Sequence, residues 1–263
     1  MKRTGSFRFN EEGSLFGAVR IEFGDIAGAD AREKCYLQTR EKIEERVREQ
    51  VRSRLPLAEV TDVIAENADN VLKPFALAYT VSVPGYAERT GQRFIVQPGF
   101  FEKGKGALFT ADTRASDIYF NYPINEKDDV TMAIPPWFKI EEGSAPDGID
   151  KVDWGAYSVK ISLKKKTNEI LYARELAFSL LHMAAGGYPR LKNIFNKIHA
   201  GDAHTLTLRA GAAGEKATAS ETTNEAANNN ASEAPREKKI DTADPTDTND
   251  TNNANDTNEP NPD

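Results

Sequence analysis

A nucleophilic thiol needs a base. The chain offers one thiol, Cys35, and three imidazoles, His182, His199 and His204. Its sequence places Cys35 in the first turns of a charged helix, where the helix dipole lowers a thiol pKa. Every histidine lies more than 140 residues away and no local signature joins them, so Cys35 reads better as a packed, inert residue at a helix–sheet seam. His199 and His204 are five apart with Asp202 between, a spacing that holds zinc only on a shared helix or loop. Since His199 closes a helix and His204 opens a strand, their rings should diverge. The paired carboxylates Asp128-Asp129 and Glu141-Glu142 fall in turns, where solvated charge is the ordinary reading. Glu102-Lys103-Gly104-Lys105-Gly106 lacks the Gly-Lys-Ser/Thr ending of a phosphate cradle and reads as a hairpin loop. Lys164-Lys165-Lys166 is a solvated turn without the aromatic platform that stacks bases. Trp137, Phe138 and Trp154 could stack on a sugar or anchor a partner. The plainer reading has Trp137 and Phe138 plugging one end of a sandwich and Trp154 packed inside. No catalytic, cofactor-binding or metal-binding residue is assigned, and no cofactor is expected.

Charge separates the chain into two parts. The net charge over 263 residues is −7, but residues 211–263 alone carry −8, leaving residues 1–210 at +1. A nearly neutral folded part points to neither nucleic acid nor an anionic membrane. One cysteine excludes an internal disulfide, and no run approaches the roughly 18 apolar residues of a membrane span. MKRTGSFRFN has two basic residues without an apolar stretch behind them. The expectation is therefore a cytoplasmic protein as written, or a periplasmic or cell-envelope one if it is the end of a longer exported chain.

The elements that must position these residues read as mainly β with α. Residues 1–70 form a hairpin–helix–strand unit. Phe7 and Phe9 lead into the turn Asn10–Gly13, then Leu15, Gly17, Val19, Ile21 and Phe23 alternate. Asp30 caps a helix with Glu33 in capping-box spacing, running to about Arg54, and Leu57–Glu66 is a further strand. Residues 71–209 form an antiparallel β-sandwich. Its strands are Phe75–Val83, Arg93–Gln97, Ile118–Tyr122, Val130–Ile134, Val152–Leu163, Ile170–His182 and Thr205–Arg209, with a polar turn at Asn125–Asp129 and a helix over Tyr188–Ile198. From residue 210 the chain is rich in Asn, Asp, Thr, Glu and Ala without an aromatic. Such a segment cannot offset its backbone entropy and reads as a disordered acidic tail.

The order of these features resembles the C-terminal region of bacterial transglutaminase-like proteins. The matching residues are Glu12-Gly13, Gly24 and Ala31-Arg32-Glu33; then Tyr86, Gly91, Phe94, Pro98, Phe100, Arg114, and Ile134-Pro135 before Phe138-Lys139-Ile140-Glu141; and finally Arg174, Tyr188, Leu191, Phe195, Ile198, Asp202 and Leu206–Leu208. Pro136-Trp137 and Gly186-Gly187 depart from the pattern. The resemblance implies a β-sandwich domain of unknown function and the segment before it. The Cys, His and Asp of the transglutaminase site would lie in a central domain upstream of Met1, so no catalytic residue carries over.

The resemblance implies a non-catalytic accessory module that packs on or positions a transglutaminase-like catalytic domain or another protein. The alternative is an independent carbohydrate- or protein-binding module using the Trp137-Phe138 region. A thiol enzyme using Cys35 comes third.

Overall fold

The computed structural model describes residues 1–142 and 144–210. The acidic tail lies outside the described residues. The chain is mainly β with three α-helices among the described residues, and its centre is an eight-stranded sheet. Along that sheet run β10 (Ile149–Val152), β11 (Gly155–Lys164), β12 (Glu169–Phe178), β8 (Ile124–Ala133), β1 (Lys2–Phe9), β2 (Leu15–Phe23), β4 (Phe75–Val83) and β3 (Glu59–Glu66). Strands from both sides of residue 70 thus share one sheet. All pairings in it are antiparallel except β1 on β8, where Arg3 faces Asp128 and Gly5 faces Val130.

Alternation explains which face is covered. In β1, Arg3, Gly5, Phe7 and Phe9 are buried while Lys2, Thr4, Ser6 and Arg8 are exposed. In β12, Ile170, Tyr172, Arg174, Leu176 and Phe178 are buried in turn. The covering layer is mixed. It contains α1 (Asp25–Glu33) and α2 (Arg40–Arg52), the loop 97–109, and a four-stranded sheet of β5 (Glu88–Thr90), β6 (Arg93–Val96), β14 (Leu206–Ala210) and β9 (Phe138–Glu142). Helix α3 (Tyr188–Asp202) closes it, burying Leu191, Phe195 and Ile198. A two-stranded ribbon pairs β7 (Ile118–Tyr119) with β13 (His182–Met183).

Five expectations change. The single helix over 30–54 is two helices, because Leu37 takes φ +55 and Thr39, not Asp30, supplies the cap that accepts from the Lys42 N–H. The strand over 118–122 stops at Tyr119. The expected turn Asn125–Asp129 is the interior of β8. Its polar residues alternate between solvent and the covered face, which a count of polar residues cannot distinguish from a turn. The strand over 152–163 is two strands hinged at Asp153-Trp154, and that over 170–182 breaks after Phe178.

The β11–β12 turn also ties down the end of β8. Asn168 takes φ +53, and its Nδ2 donates to the carbonyls of Ile134 (2.9 Å) and Pro135 (2.8 Å). These carbonyls sit where the Pro135-Pro136 pair ends the ladder. Asn168→Ala loses both bonds and adds left-handed strain, so it should cost about 2 kcal/mol. Asn168→Gly loses only the bonds and should cost measurably less in urea unfolding. Equal losses would mean that the backbone conformation carries no strain.

Candidate functional site

Every charged residue buried among the described residues belongs to one network: Arg3, Glu102, Asp128, Arg174 and Asp202. Its base is a row across the sheet, with Asp128 on β8 facing Arg3 on β1 and Arg174 on β12. Arg3 holds Asp128 bidentately, Nε to Oδ1 at 2.6 Å and Nη2 to Oδ2 at 2.7 Å. Arg174 does the same to Asp202 at the end of α3, at 2.7 and 3.0 Å. Glu102, from the loop above, accepts from Arg3 at 2.6 Å and from Lys105 at 2.9 Å. Glu126 accepts from Arg174 at 2.9 Å. The Tyr157 hydroxyl donates to Asp202 at 2.9 Å.

Local structure makes these approaches possible. Asp202 would be unfavourable at a helix C-terminus, where the dipole is negative. Arg174 offsets this, and Gln97 Nε2 donates to the Asp202 carbonyl at 2.8 Å, satisfying one orphan acceptor of the last turn. A Cβ on Gly201 would meet the Tyr157 hydroxyl at 2.5 Å. Gly104 turns at φ +81 where a Cβ would collide with the Arg54 carbonyl, which lets the 99–106 loop close against the chain just past α2.

Four carboxylates surround two buried guanidiniums. Burial pushes the Asp128 and Asp202 carboxyls up, and the pull of Arg3 on one and Arg174 on the other only partly offsets it. Burial also disfavours ionised Glu102, but Arg3, Arg174 and Lys105 together outweigh it and hold that group below the ordinary range. Burial works against the charge on both guanidiniums as well; their carboxylate partners outweigh it and keep them firmly charged. Both aspartates are occupied by bidentate guanidiniums, so this arrangement acts as a clamp. Beside it opens a cavity of about 320 Å³ bordered by Lys105, Leu108, Glu126, Phe195 and His199.

A larger recess of about 630 Å³ lies between α1, α2 and the sheet. Phe23, Ile26, Cys35, Ile43, Val47 and Leu77 line it, with Asp30, Lys34 and Arg46 at the rim. Cys35 follows the C-terminal end of α1 rather than opening a helix, so the dipole that would activate it is absent. The thiol is 5% exposed; burial raises its pKa, and Arg46 draws it only partly back.

The other sequence candidates do not converge. His199 borders the smaller cavity, the buried Nε2 of His204 has no hydrogen-bond partner, and His182 pairs with Asp117 at 2.9 Å on the surface beside Tyr119. The Asp117 carboxyl is lowered by that bond and by the Ala185 N–H. Among the described residues no group of three His, Cys, Asp or Glu side chains is placed to hold a metal ion. No helix among them is long and apolar enough to cross a membrane. Phe138 is buried edge-on against Phe94, Trp137 is half-buried against the core, and Trp154 packs on Phe178 under Arg190. Glu141 pairs with Arg93 and Arg209 on the surface. Glu102 is buried at the start of a loop that is not a hairpin and whose Gly104, Lys105 and Gly106 are exposed, and Asp128 is 2% exposed rather than solvated.

Residues 92–208 match a domain of unknown function, DUF3858. The matched span runs from the start of β6 into β14 and contains Glu102, Glu126, Asp128, Arg174 and Asp202. No curated protein and no solved structure matches the chain.

Two outcomes follow from the clamp. Arg3→Met leaves Asp128 and Glu102 short of a partner and should cost about 3–5 kcal/mol. Asp128→Asn removes one surplus negative charge and should cost clearly less in the same urea titration; the opposite ranking would contradict the charge assignment. The two raised aspartates stabilise the fold fully below the unfolded value of about 3.9, and lose that contribution as pH rises through their folded values. Glu102 behaves oppositely, stabilising above about 4.3 and losing its share as pH falls through its lowered value. Carboxyl ¹³C titration should place Asp128 and Asp202 above ordinary aspartate and Glu102 below ordinary glutamate. The reverse order would contradict this reading.

Proposed function

We propose that the chain is a non-catalytic accessory module of a transglutaminase-like protein, docking onto a catalytic domain or another protein and positioning it. The observation that carries this reading is the groove around Cys35. It is the larger of the two recesses described, and it is mostly apolar. Its one thiol is buried with a raised pKa, and no histidine borders it among the described residues. A recess of that kind is suited to receive a surface rather than to activate a nucleophile. The charged network supports the same reading, since its bidentate pairs hold the covering layer in place.

The expected result is a stoichiometric complex between the full chain and a recombinant transglutaminase-like catalytic domain from the same cells, seen by titration calorimetry. Cys35 should react with iodoacetamide at neutral pH far more slowly than free cysteine. Thiol-dependent hydrolase or crosslinking activity in the purified chain, lost in Cys35→Ala, would overturn the proposal.

A further inference from the structure

The smaller cavity, beside the clamp, has carboxylates on its wall whose hydrogen bonding is incomplete. Glu102, Glu126 and Asp202 border it, against the cations Lys105 and Arg174. Arg174 donates to both oxygens of Asp202 and to Glu126 Oε2, and Lys105 donates to Glu102 Oε1. Two oxygens are left over. Glu102 is 9% exposed, yet its Oε2 has no hydrogen-bond partner among the described residues, and neither has Glu126 Oε1. Neither is one of the fully enclosed unpaired atoms, which are Tyr172 Oη and His204 Nε2, so each opens onto space. The two carboxylates stand close together, because Arg3 Nη2 lies 2.6 Å from Glu102 Oε1 and 3.4 Å from Glu126 Oε2. The last turn of α3 borders the same cavity and adds the negative end of a helix dipole. Much of the remaining wall is apolar, from Leu108, Ile124, Leu176 and Phe195.

From these unfilled acceptors and the apolar wall beside them, we propose that the cavity binds a small amphiphilic amine, a primary ammonium on a short hydrocarbon stem. The ammonium donates to Glu102 Oε2 and Glu126 Oε1, and the stem lies against Leu108, Ile124 and Phe195. An ammonium carries three donors on a compact head, so one group can serve both oxygens. A buried carboxylate oxygen gains from such a donor what it lost in leaving water. An anion would have to compete with Glu102, Glu126 and Asp202 for Lys105 and Arg174, which these carboxylates already hold. A bare cation would leave the apolar wall uncovered. The site is separate from the docking groove and does not depend on it.

The probes are n-hexylammonium, n-hexanol and hexanoate, titrated into the full chain at neutral pH and followed by the carboxyl ¹³C shifts of Glu102 and Glu126. Hexylammonium should bind saturably, and roughly tenfold more tightly than either of the others, which lack the charged donor. Glu126→Gln should weaken it about tenfold. That variant keeps an oxygen for Arg174 to bind, and urea unfolding checks that the clamp persists. Leu108 is 62% exposed and outside the clamp, so Leu108→Ala tests the stem without threatening the fold. It should weaken hexylammonium roughly threefold and leave methylammonium unchanged. Hexanoate binding as tightly as hexylammonium overturns the inference, since Lys105 and Arg174 would then select the ligand. Hexylammonium binding that Leu108→Ala leaves unchanged overturns it too, as do shifts that sodium chloride reproduces at the same concentration. If Glu126→Gln folds and binds as the parent chain does, the two oxygens are not the acceptors and the inference falls.

Discussion

Asp128 lies on β8 between Arg3 on β1 and Arg174 on β12, and this row of alternating charge is buried under the covering layer. Three charges in the apolar face of a sheet would be ruinous if any were left unpaired, because a buried ion without a partner loses its hydration with nothing in return. The sequence must therefore supply carboxylates from above as well as from within the sheet. Glu102 comes down from the loop and Asp202 from the end of α3. The parallel pairing of β1 with β8 follows the same logic, since its register sets Arg3 against Asp128.

The clamp decides what is rigid and what is left open. The 99–106 loop and the last turn of α3 are fixed by charge-assisted bonds, the stronger kind of hydrogen bond. The other end of the sheet, under α1 and α2, is covered by apolar contact and by hydrogen bonds from Arg32 and Arg52 to the carbonyls of Asn67, Lys73 and Ala58, and there the groove remains. Glu126 borders both recesses, so the clamp ends where the larger recess begins. One part of the covered face is thus specified by polar pairing, and the adjoining part is left as an open recess.

Much of the architecture was legible in the sequence. The alternation in Leu15–Phe23 and Phe75–Val83 and the 191, 194, 195, 198 spacing gave elements that the structure contains. The long helix failed because capping-box spacing is local, whereas Thr39 and the left-handed Leu37 decide the break. The network was missed for a different reason. Asn125–Asp129 looks like a polar turn by composition, yet Glu126 and Asp128 are in phase with Val130 and Met132. Arg174 stands in phase between Tyr172 and Leu176, and Arg3 with Phe7 and Phe9. A charge on the apolar beat of a strand was the available signal. Pairing it with Glu102 or Asp202 required the fold, since 99 residues separate Arg3 from Glu102.

The most direct test of this account is a double-mutant cycle across the clamp, measuring unfolding free energies for Arg174→Met, Asp202→Asn and the pair. The account predicts a coupling energy of about 2 kcal/mol or more, with the double variant clearly less damaged than the two single losses summed. Additive losses would contradict it, because Arg174 would then not be holding α3 to the sheet through Asp202.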